Sequence, residues 1–440
     1  PNSQSCRKID TDPQCFKYYN GVFNKTQEIG RKGNNPLPSK EDSWIIRKKR
    51  MATAEFVLKI ENGELGVEGK IPYYKCEKFP QITLNKNAVI KAMELNQYEQ
   101  FEKQVDVHDD YFITYFLDLK EDGIINISYT TPVEGWDNLI SEDLVAISLY
   151  SHAFPANLPD YIQDSICYFG KGFENYDIYK AYVDEETGLY AKGTKKLFGE
   201  IVNIIGIRKG TVKTYKRDKF CIIYREGCDC DSLCDSISIG ESAFQYYNKI
   251  YPVRDMEQID IVVLGNGDLG GAYIRNNLIV MGEPPAAMPV QEEAEMRTYQ
   301  LFAHELGHVW FCKADVNSFE DWLNETGAEW SHMLFLLETG KEELFNRMME
   351  WRYDEQHRMG EEIRPKDGHH PNTVHTSGTV LFHMIYERYG KEAVVKILQI
   401  LSSMEQQNTD SFLARVEIEY SVEIAGFIRE NLDEKIHGKK

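Results

Sequence analysis

The chain has 440 residues, of which 42% are hydrophobic and 27% are charged, and its formal net charge is −20. This length suits two or three domains with a large core, and the composition is ordinary for a soluble globular protein. No apolar run reaches the roughly 18 residues that a membrane helix needs. So acidic a chain would also be repelled by nucleic acid. We therefore expect neither a membrane nor a nucleic acid as a partner.

Residues 1–52 form a basic N-terminal arm, with eleven Lys or Arg against five Asp or Glu. Either an arm that folds back on an acidic body or a solvated tail fits this composition. The chain start lacks the basic-then-apolar layout of a signal peptide, and the nine cysteines are an odd, scattered set. These features favour a reducing compartment, the cytoplasm, although a removed signal peptide would make the protein a secreted one.

Residues 53–235 are predicted to form a β-rich domain. Short segments rich in β-branched and aromatic residues, bounded by Gly, Asp or Asn, indicate strands; they lie within residues 56–69, 111–119, 123–131, 144–152 and 218–226. Residues 84–104 are predicted to be a helical interruption. This layout predicts an antiparallel β domain of the sandwich type.

Three cysteines near the end of this domain, Cys228, Cys230 and Cys234, form the one cysteine cluster of the sequence. They fit either a second metal site or a loop with spare thiols. Because neither a histidine nor a second CxxC pair accompanies them, the loop is the favoured interpretation.

From residue 236 the pattern changes: residues 236–253 are predicted to be a helix and residues 259–265 a buried strand. The glycines that follow match the GxGxxG fingerprint of dinucleotide-binding sites. That fingerprint must open a helix, whereas residues 272–282 have the pattern of a strand. The sequence therefore does not predict a nucleotide site.

The strongest functional motif is His304-Glu305-x-x-His308, which is followed by Glu325. Residues 297–311 are predicted to be a helix, and positions four apart lie on one face of a helix. Both imidazoles can therefore reach one metal ion, and Glu305 is placed beside them to take a proton from water. Glu325, on a second helix packed across the first, fits as the third ligand that Zn²⁺ needs. The alternative is a helix with two histidines on its core side.

This stretch resembles the gluzincin zinc metallopeptidases and, among them, the aminopeptidase N family. The family typically reads HELxHxWF, a short insert and WLNEGFAxW, and this sequence reads HELGHVWF and FEDWLNETGAEW. The insert is shorter here, which predicts a shortened connecting loop between intact helices. The resemblance implies a thermolysin-like mixed α/β catalytic domain over residues 236–440, with helices at its C-terminal end, one Zn²⁺ per chain and Glu305 as the general base. The predicted fold class is then α+β.

The family carries a GAMEN segment upstream of HExxH, and here Gly271, Ala272, Tyr273, Ile274 and Arg275 occupy that position. In the family this segment is an edge strand that binds the substrate backbone by strand addition, and its Glu binds the free amino terminus of the substrate. Ile274 replaces that Glu. The resemblance therefore implies a retained substrate strand without the amine anchor, in a peptidase that is not a general aminopeptidase.

Two further positions depart from the family pattern. The family has a second supporting carboxylate where this sequence has His332, and Glu329 either takes over that role or forms a plain surface pair. His375 stands where a family tyrosine stabilises the oxyanion of the reaction. A histidine N–H can donate the same hydrogen bond; the alternative is a helix-start histidine without chemistry. The pair His369 and His370 is expected to be solvated in a polar loop.

These observations predict a zinc-dependent metallopeptidase that hydrolyses peptide or protein substrates with water as the nucleophile. One alternative is a different amide or epoxide hydrolysis at the same site. The other is a catalytically inactive protein of peptidase fold that binds a peptide or a partner, with zinc structural or absent.

Overall fold

The computed structural model describes residues 53–433 with several gaps, and the predicted basic arm at residues 1–52 lies outside the described residues. The gaps are residues 62, 74–80, 96–102, 108–111, 118–121, 134–137, 149–150, 152, 156–157, 159–161, 163–165, 172, 174, 180–203, 266–271, 276, 283–290, 317, 367 and 369.

The first part of the described chain consists of strands: β1 (Ala54–Glu61), β2 (Glu64–Tyr73), β3 (Gln81–Asn85), β4 (Val89–Leu95), β5 (Lys103–Val107), β6 (Phe112–Leu117), β7 (Gly123–Thr131), β8 (Leu139–Ile140), β9 (Leu144–Ile147), β10 (Ile166–Lys171), β11 (Tyr176–Tyr179) and β12 (Ile204–Arg208). They form sheets in the orders β10-β1-β2-β7-β4, β3-β6-β5 and β11-β12-β9-β8. Every pairing except β1 with β10 is antiparallel. Along β7 buried and less buried residues alternate, because one face of the sheet packs on the core and the other meets solvent.

The predicted helix at residues 84–104 is wrong for the part that the structure describes. Residues 89–95 form β4, which pairs with β7 through a bulge between Ile90 and Ala92. Before it, the Asn85 side chain accepts a hydrogen bond from the backbone N–H of Asn87, and this turn separates β3 from β4. Ala, Met, Glu and Leu in β4 favour helix by local propensity, but pairing with a neighbouring strand overrides so weak a preference.

A fourth sheet, called the central sheet below, has both parallel and antiparallel strands. It contains β13 (Val212–Arg217), β14 (Phe220–Arg225), β15 (Ile259–Val263), β16 (Ala272–Arg275) and β17 (Leu278–Met281). Its order is β13-β14-β15-β17-β16, with β14, β15 and β17 parallel and the two outer strands antiparallel. One face packs on β9 and β12 and the other on the helices. The central strands are covered on both faces, which explains why they are almost continuous apolar runs.

The rest of the chain is helical: α1 (Asp231–Asp235), α2 (Ile237–Ile250), α3 (Gln291–Tyr299), α4 (Glu305–Gly307), α5 (Trp322–Glu338), α6 (Glu342–Met359), α7 (Val374–Tyr389), α8 (Lys391–Ser402), α9 (Thr409–Glu419) and α10 (Val422–Leu432). A π-helical segment, Gln300–His304, joins α3 to α4. The predicted helix at residues 236–253 is confirmed as α2, and the predicted second helix that carries Glu325 is confirmed as α5. The helix predicted at residues 297–311 begins earlier, at Gln291, and its regular part ends at Gly307.

The predicted fold class is confirmed: a mainly antiparallel β region precedes a mixed α/β region with a helical C-terminal end. The domain boundaries at 52/53 and 235/236 stay predictions. The strand β14, which precedes the second boundary, pairs with β15, which follows it. Within the described ranges, no helix is both long enough and apolar enough to cross a bilayer.

Candidate metal centre

The helix with the HExxH motif packs closely on α5. Gly307 permits this approach, because a Cβ atom there would lie 2.7 Å from the Cα atom of Ala328. Leu306, next to it, is fully buried in the core. The π-helical segment, a feature often found at functional sites, leads directly into His304. The motif is therefore held against α5 by the packing of residues between its two histidines.

The short loop between the two helices is fixed by Asn324. Its side-chain carbonyl accepts a hydrogen bond from the N–H of Ala314 at 3.0 Å, and its amide donates to the carbonyl of Ala314 at 3.2 Å. The same amide also donates to Asp321 at 2.8 Å. Asp321 in turn contacts His370 at 3.0 Å. The expectation that His370 is solvated is wrong, since this side chain is buried; His369 lies outside the described residues.

The three predicted metal ligands meet at one point. Ligand atoms of His304, His308 and Glu325 lie within 4.8 Å of one another. The Oε2 atom of Glu325 is 3.5 Å from Nε2 of His304 and 3.7 Å from Nε2 of His308. This oxygen is buried, yet no described residue gives it a well-directed hydrogen bond. Two imidazoles and a carboxylate that converge in this way fit a Zn²⁺ ion with one position left open.

Outer hydrogen bonds orient both imidazoles. Nδ1 of His304 lies 2.8 Å from Oε2 of Glu329, and Nδ1 of His308 lies 3.0 Å from the carbonyl oxygen of Phe311. Because each Nδ1 faces an acceptor, it carries a proton, and Nε2 is the atom of each ring that lies at the common centre and binds a metal when it is deprotonated. Metal-binding histidines usually have such partners, which fix the tautomer and raise ligand basicity.

The electrostatics of the centre favour a cation. Burial alone would lower the pKa of His304, but Glu325 and Glu329 raise it to about 10. Burial would raise the pKa of Glu325, yet His375 and His308 hold it well below its usual range. Burial lowers the pKa of His308, so this imidazole is available in the neutral form that binds metal.

Glu329, and not His332, contacts a candidate metal ligand, His304. Glu329 is completely buried and bonds His304, so it is no surface pair. Burial would raise its pKa, but Arg352 and His304 lower it well below the usual range. His332 is also completely buried, and neither of its ring nitrogens has a hydrogen-bond partner among the residues that the structure describes. Burial lowers the pKa of His332 to about 4, which keeps it neutral near pH 7.

His375 stands at the start of α7, beside the ligands. Its side chain is 45% exposed, and its Nδ1 atom lies 2.7 Å from Oε2 of Glu325. Its ring centroid is 6.1 Å from that of His304. Burial opposes protonation of His375, but Glu325 raises its pKa above the ordinary value. The side chain thus reaches both the metal centre and the solvent-facing side on which a substrate would lie.

The predicted substrate strand is β16, an edge of the central sheet in the described part of the chain. It packs against α4. Tyr273 and Ile274 are both buried on opposite faces of the sheet, Ile274 in the core that contains Leu306 and Tyr273 with the strands behind. Gly271 and the side chain of Arg275 lie outside what the structure describes.

The cysteine cluster carries no second metal site of this kind. Sγ of Cys228 lies 3.4 Å from Sγ of Cys230, and Cys234 is buried nearby on α1. Among the described residues, one group of three converging ligands is present, and it is the centre at His304.

Sequence reasoning missed Arg352, which binds Glu329. A signal for it exists in α6, where Phe345, Met348, Met349, Arg352 and Gln356 share one buried face at helical spacing. An arginine in such an apolar stripe must find a partner inside the protein.

No protein-family model matches the sequence, and no curated protein matches it. Solved structures do resemble it. An M1 zinc metallopeptidase from Deinococcus radiodurans aligns with a TM-score of 0.54 at 14% identity, over 88% of this chain and 94% of that one. Yeast LTA4 hydrolase aligns with a TM-score of 0.60 at 12% identity, over 89% and 69%. At such low identity these likenesses show the fold alone, and the fold is M1-like.

Proposed function

We propose that the protein is a zinc-dependent peptidase that hydrolyses peptide or protein substrates and is not a general aminopeptidase. The convergence of His304, His308 and Glu325 on one point supports this most. Two imidazoles and one carboxylate with an open position are the donor set of catalytic zinc sites. The M1-like fold, shared with zinc metallopeptidases, agrees with it.

In this proposal Glu305 transfers the proton and His375 stabilises the developing negative charge. When bound, Zn²⁺ polarises the scissile carbonyl and makes a nearby water more acidic. Glu305, between the two histidines on the same helix, takes the proton from the attacking water and passes it to the leaving amine. His375 donates a hydrogen bond to the carbonyl oxygen as negative charge develops on it. Its partly exposed position beside Glu325 suits this task.

The edge strand β16 binds the substrate. An extended peptide that pairs with Ala272–Arg275 as an added strand satisfies its backbone hydrogen bonds. Ile274 turns an apolar side chain into the core next to the HExxH helix. An apolar group there gives no compensation for a buried ammonium ion, which is costly when unpaired. Substrates without a free amino terminus at the cleavage site are therefore the preferred class.

The test is hydrolysis of a mixed peptide library, read by mass spectrometry, for the wild type, Glu305→Gln and the surface control Glu338→Gln. We expect Glu305→Gln to keep its zinc and to lose about 10²–10⁴-fold in activity, since it removes the general base but no ligand. Glu338→Gln should behave as the wild type. Equal activity of Glu305→Gln and the wild type would rule out this mechanism.

The same experiment separates the proposal from its alternatives. A wild type that binds zinc but cleaves no member of the library would point to a redirected hydrolase or to a binding protein of peptidase fold. Metal content alone would not distinguish these, because a structural zinc gives the same stoichiometry.

A further inference from the structure

Arg352 lies in α6 and does not touch the three metal ligands, yet its guanidinium connects two parts of the candidate site. We propose that Arg352 is a positioning residue that holds the metal ligand His304 and the first turn of α7, which carries His375, in one fixed arrangement. This inference rests on the proposed function, because it assigns Arg352 a role in that site.

The first connection leads to the metal. Nε and Nη2 of Arg352 bind Oε1 of Glu329 at 3.2 and 3.0 Å. The other oxygen of Glu329, Oε2, accepts the hydrogen bond from Nδ1 of His304. Each carboxylate oxygen therefore serves one partner, and the arginine determines how the carboxylate faces the imidazole. Because Glu329 is completely buried, removing Arg352 takes the charged partner away from a carboxylate in the interior, which is costly.

The second connection leads to α7. Nη1 of Arg352 binds Oε2 of Glu355 at 3.2 Å and the hydroxyl of Thr376 at 3.5 Å. The Thr376 hydroxyl itself donates to Glu355. Thr376 is the residue after His375, so the bond fixes the turn from which the His375 side chain projects.

An arginine is the side chain that suits both connections. Its planar guanidinium presents donors in a fixed fork, so one group can bind partners on two sides without a change of rotamer. The plane also lies over the ring of Trp351, 4.4 Å from its centroid. A lysine carries the same charge on a single nitrogen and cannot serve both carboxylates with this geometry.

A purely structural role, as an internal tie between three helices, is the competing explanation. It predicts that variants change stability alone. It also predicts that Arg352→Lys, which keeps the charge, has the stability, zinc affinity and kcat of the wild type. The positioning role predicts instead that zinc affinity and kcat change separately. Loss of the connection to Glu329 should weaken zinc binding, and loss of the connection to Thr376 should lower kcat.

The experiment uses the full chain and four variants: Arg352→Met, Arg352→Lys, Thr376→Val and, as a matched control, Arg364→Met. Arg364 forms an exposed fork with Asp433 at 2.7 and 2.9 Å, and it also pairs with Asp410; neither partner belongs to the candidate site. Zinc affinity is measured by competition with a chromophoric chelator, stability by urea denaturation, and kcat and KM on a peptide that the wild type cleaves.

We expect Arg352→Met and Arg352→Lys to bind zinc about 10–100-fold more weakly, the usual effect of losing a partner of a metal ligand. Arg352→Lys should recover much of the stability and little of the zinc affinity. Thr376→Val should bind zinc as the wild type does and lose about 10-fold in kcat at unchanged KM. Arg364→Met should match the wild type in zinc affinity and kinetics.

Wild-type zinc affinity in a folded Arg352→Lys protein would overturn the proposal, and so would unchanged kcat in Thr376→Val. Failure of the proposed function has a different signature. A wild type that binds zinc without cleaving peptides contradicts the peptidase, while the zinc affinities of the Arg352 variants still decide the positioning role. A wild type that binds no zinc contradicts both.

Discussion

The ligand helices (α4, α5 and the start of α7) and the edge strand β16 border the same site but use different chemistry. Behind the ligand helices a chain of buried, mutually bonded polar side chains runs from His304 through Glu329 to Arg352 on α6. On the edge strand the buried side chain beside the HExxH helix is the apolar Ile274, and the strand's backbone lies at an edge of the sheet. Substitutions on the helices should therefore affect every substrate, whereas substitutions on the strand should change the choice among substrates.

The largest expected effect is the loss of zinc when a ligand on the helices is substituted. The wild type should hold about one zinc ion per chain, and His304→Ala or Glu325→Ala should lose stoichiometric zinc, because each removes one of three ligands. Metal content by inductively coupled plasma mass spectrometry checks this, with the exposed His357→Ala as the control. Zinc that persists in a variant with both substitutions, His304→Ala and Glu325→Ala, would have to be bound elsewhere, for instance at Cys228, Cys230 and Cys234.

On the ligand helices, the site residues that could be predicted from the sequence are those that lie close together in the chain or match a short motif. Spacing along one helix brings His304 and His308 together, with ring centroids 5.0 Å apart. Glu325 came from resemblance to a family motif. The apolar stripe of α6 marks Arg352 as a residue with an internal partner. That the partner is Glu329 could not be predicted, because Glu329 lies 23 residues away on another helix and no short-range pattern encodes which helices pack together.

The fold shows the same division. Strands β7 and β15 were predictable because their apolar patterns are local. The strand β4 was predicted as helix, because its residues suit helix in isolation and its pairing with β7 is decided by distant residues. The joining of β14 to β15 in parallel is likewise a tertiary fact that strand patterns do not contain.

The second prediction concerns His332, a buried histidine of α5 whose lowered pKa should make the stability of the protein depend on pH. Burial lowers the pKa of His332 to about 4 in the folded protein, below its ordinary value of 6.5. Between pH about 6.5 and 4 the unfolded chain takes up a proton that folded His332 does not, so the free energy of unfolding should fall as pH falls. The contribution is at most about 3 kcal/mol.

His332→Met should remove that part of the pH dependence, because the replacement does not titrate. Neither ring nitrogen has a bond to lose within the described residues, so stability near pH 7 should change little or rise. Urea denaturation at pH 7.5 and pH 5 measures both effects. A pH dependence identical to that of the wild type would mean that water or a rearrangement reaches His332.

The third prediction concerns His375, which stands between the two sides. His375→Phe keeps a ring of similar size and removes the N–H, so kcat should fall about 10²-fold, the scale of one lost oxyanion donor, with zinc affinity unchanged. Steady-state kinetics and zinc competition check this. A change in KM alone would show that His375 only touches substrate, and a loss of zinc would show that its contact with Glu325 positions the ligand.

The last prediction concerns the edge strand, and its expected effect is the smallest. The wild type should cleave N-blocked peptides at least as well as substrates with a free amino terminus, because Ile274 offers an ammonium ion no partner. Ile274→Glu places a carboxylate at this buried position next to the HExxH helix. A hydrogen bond to a charged group contributes about 1.5–3 kcal/mol, so free-amine substrates should gain about 10-fold or more in kcat/KM relative to blocked ones.

Ile274→Gln is the control, since it introduces a polar side chain of the same length without the charge and should leave the ratio between the two substrate classes near that of the wild type. Comparing ratios within each variant also cancels the loss of folded protein that a polar group in the core causes. Zinc affinity should not change in either variant, in contrast to the substitutions on the ligand helices. If the wild type already cleaves single amino-acid amides as fast as blocked peptides, another group, such as Asp268 or Glu283 outside the described residues, binds the amine, and the contrast between the two sides of the site would not hold.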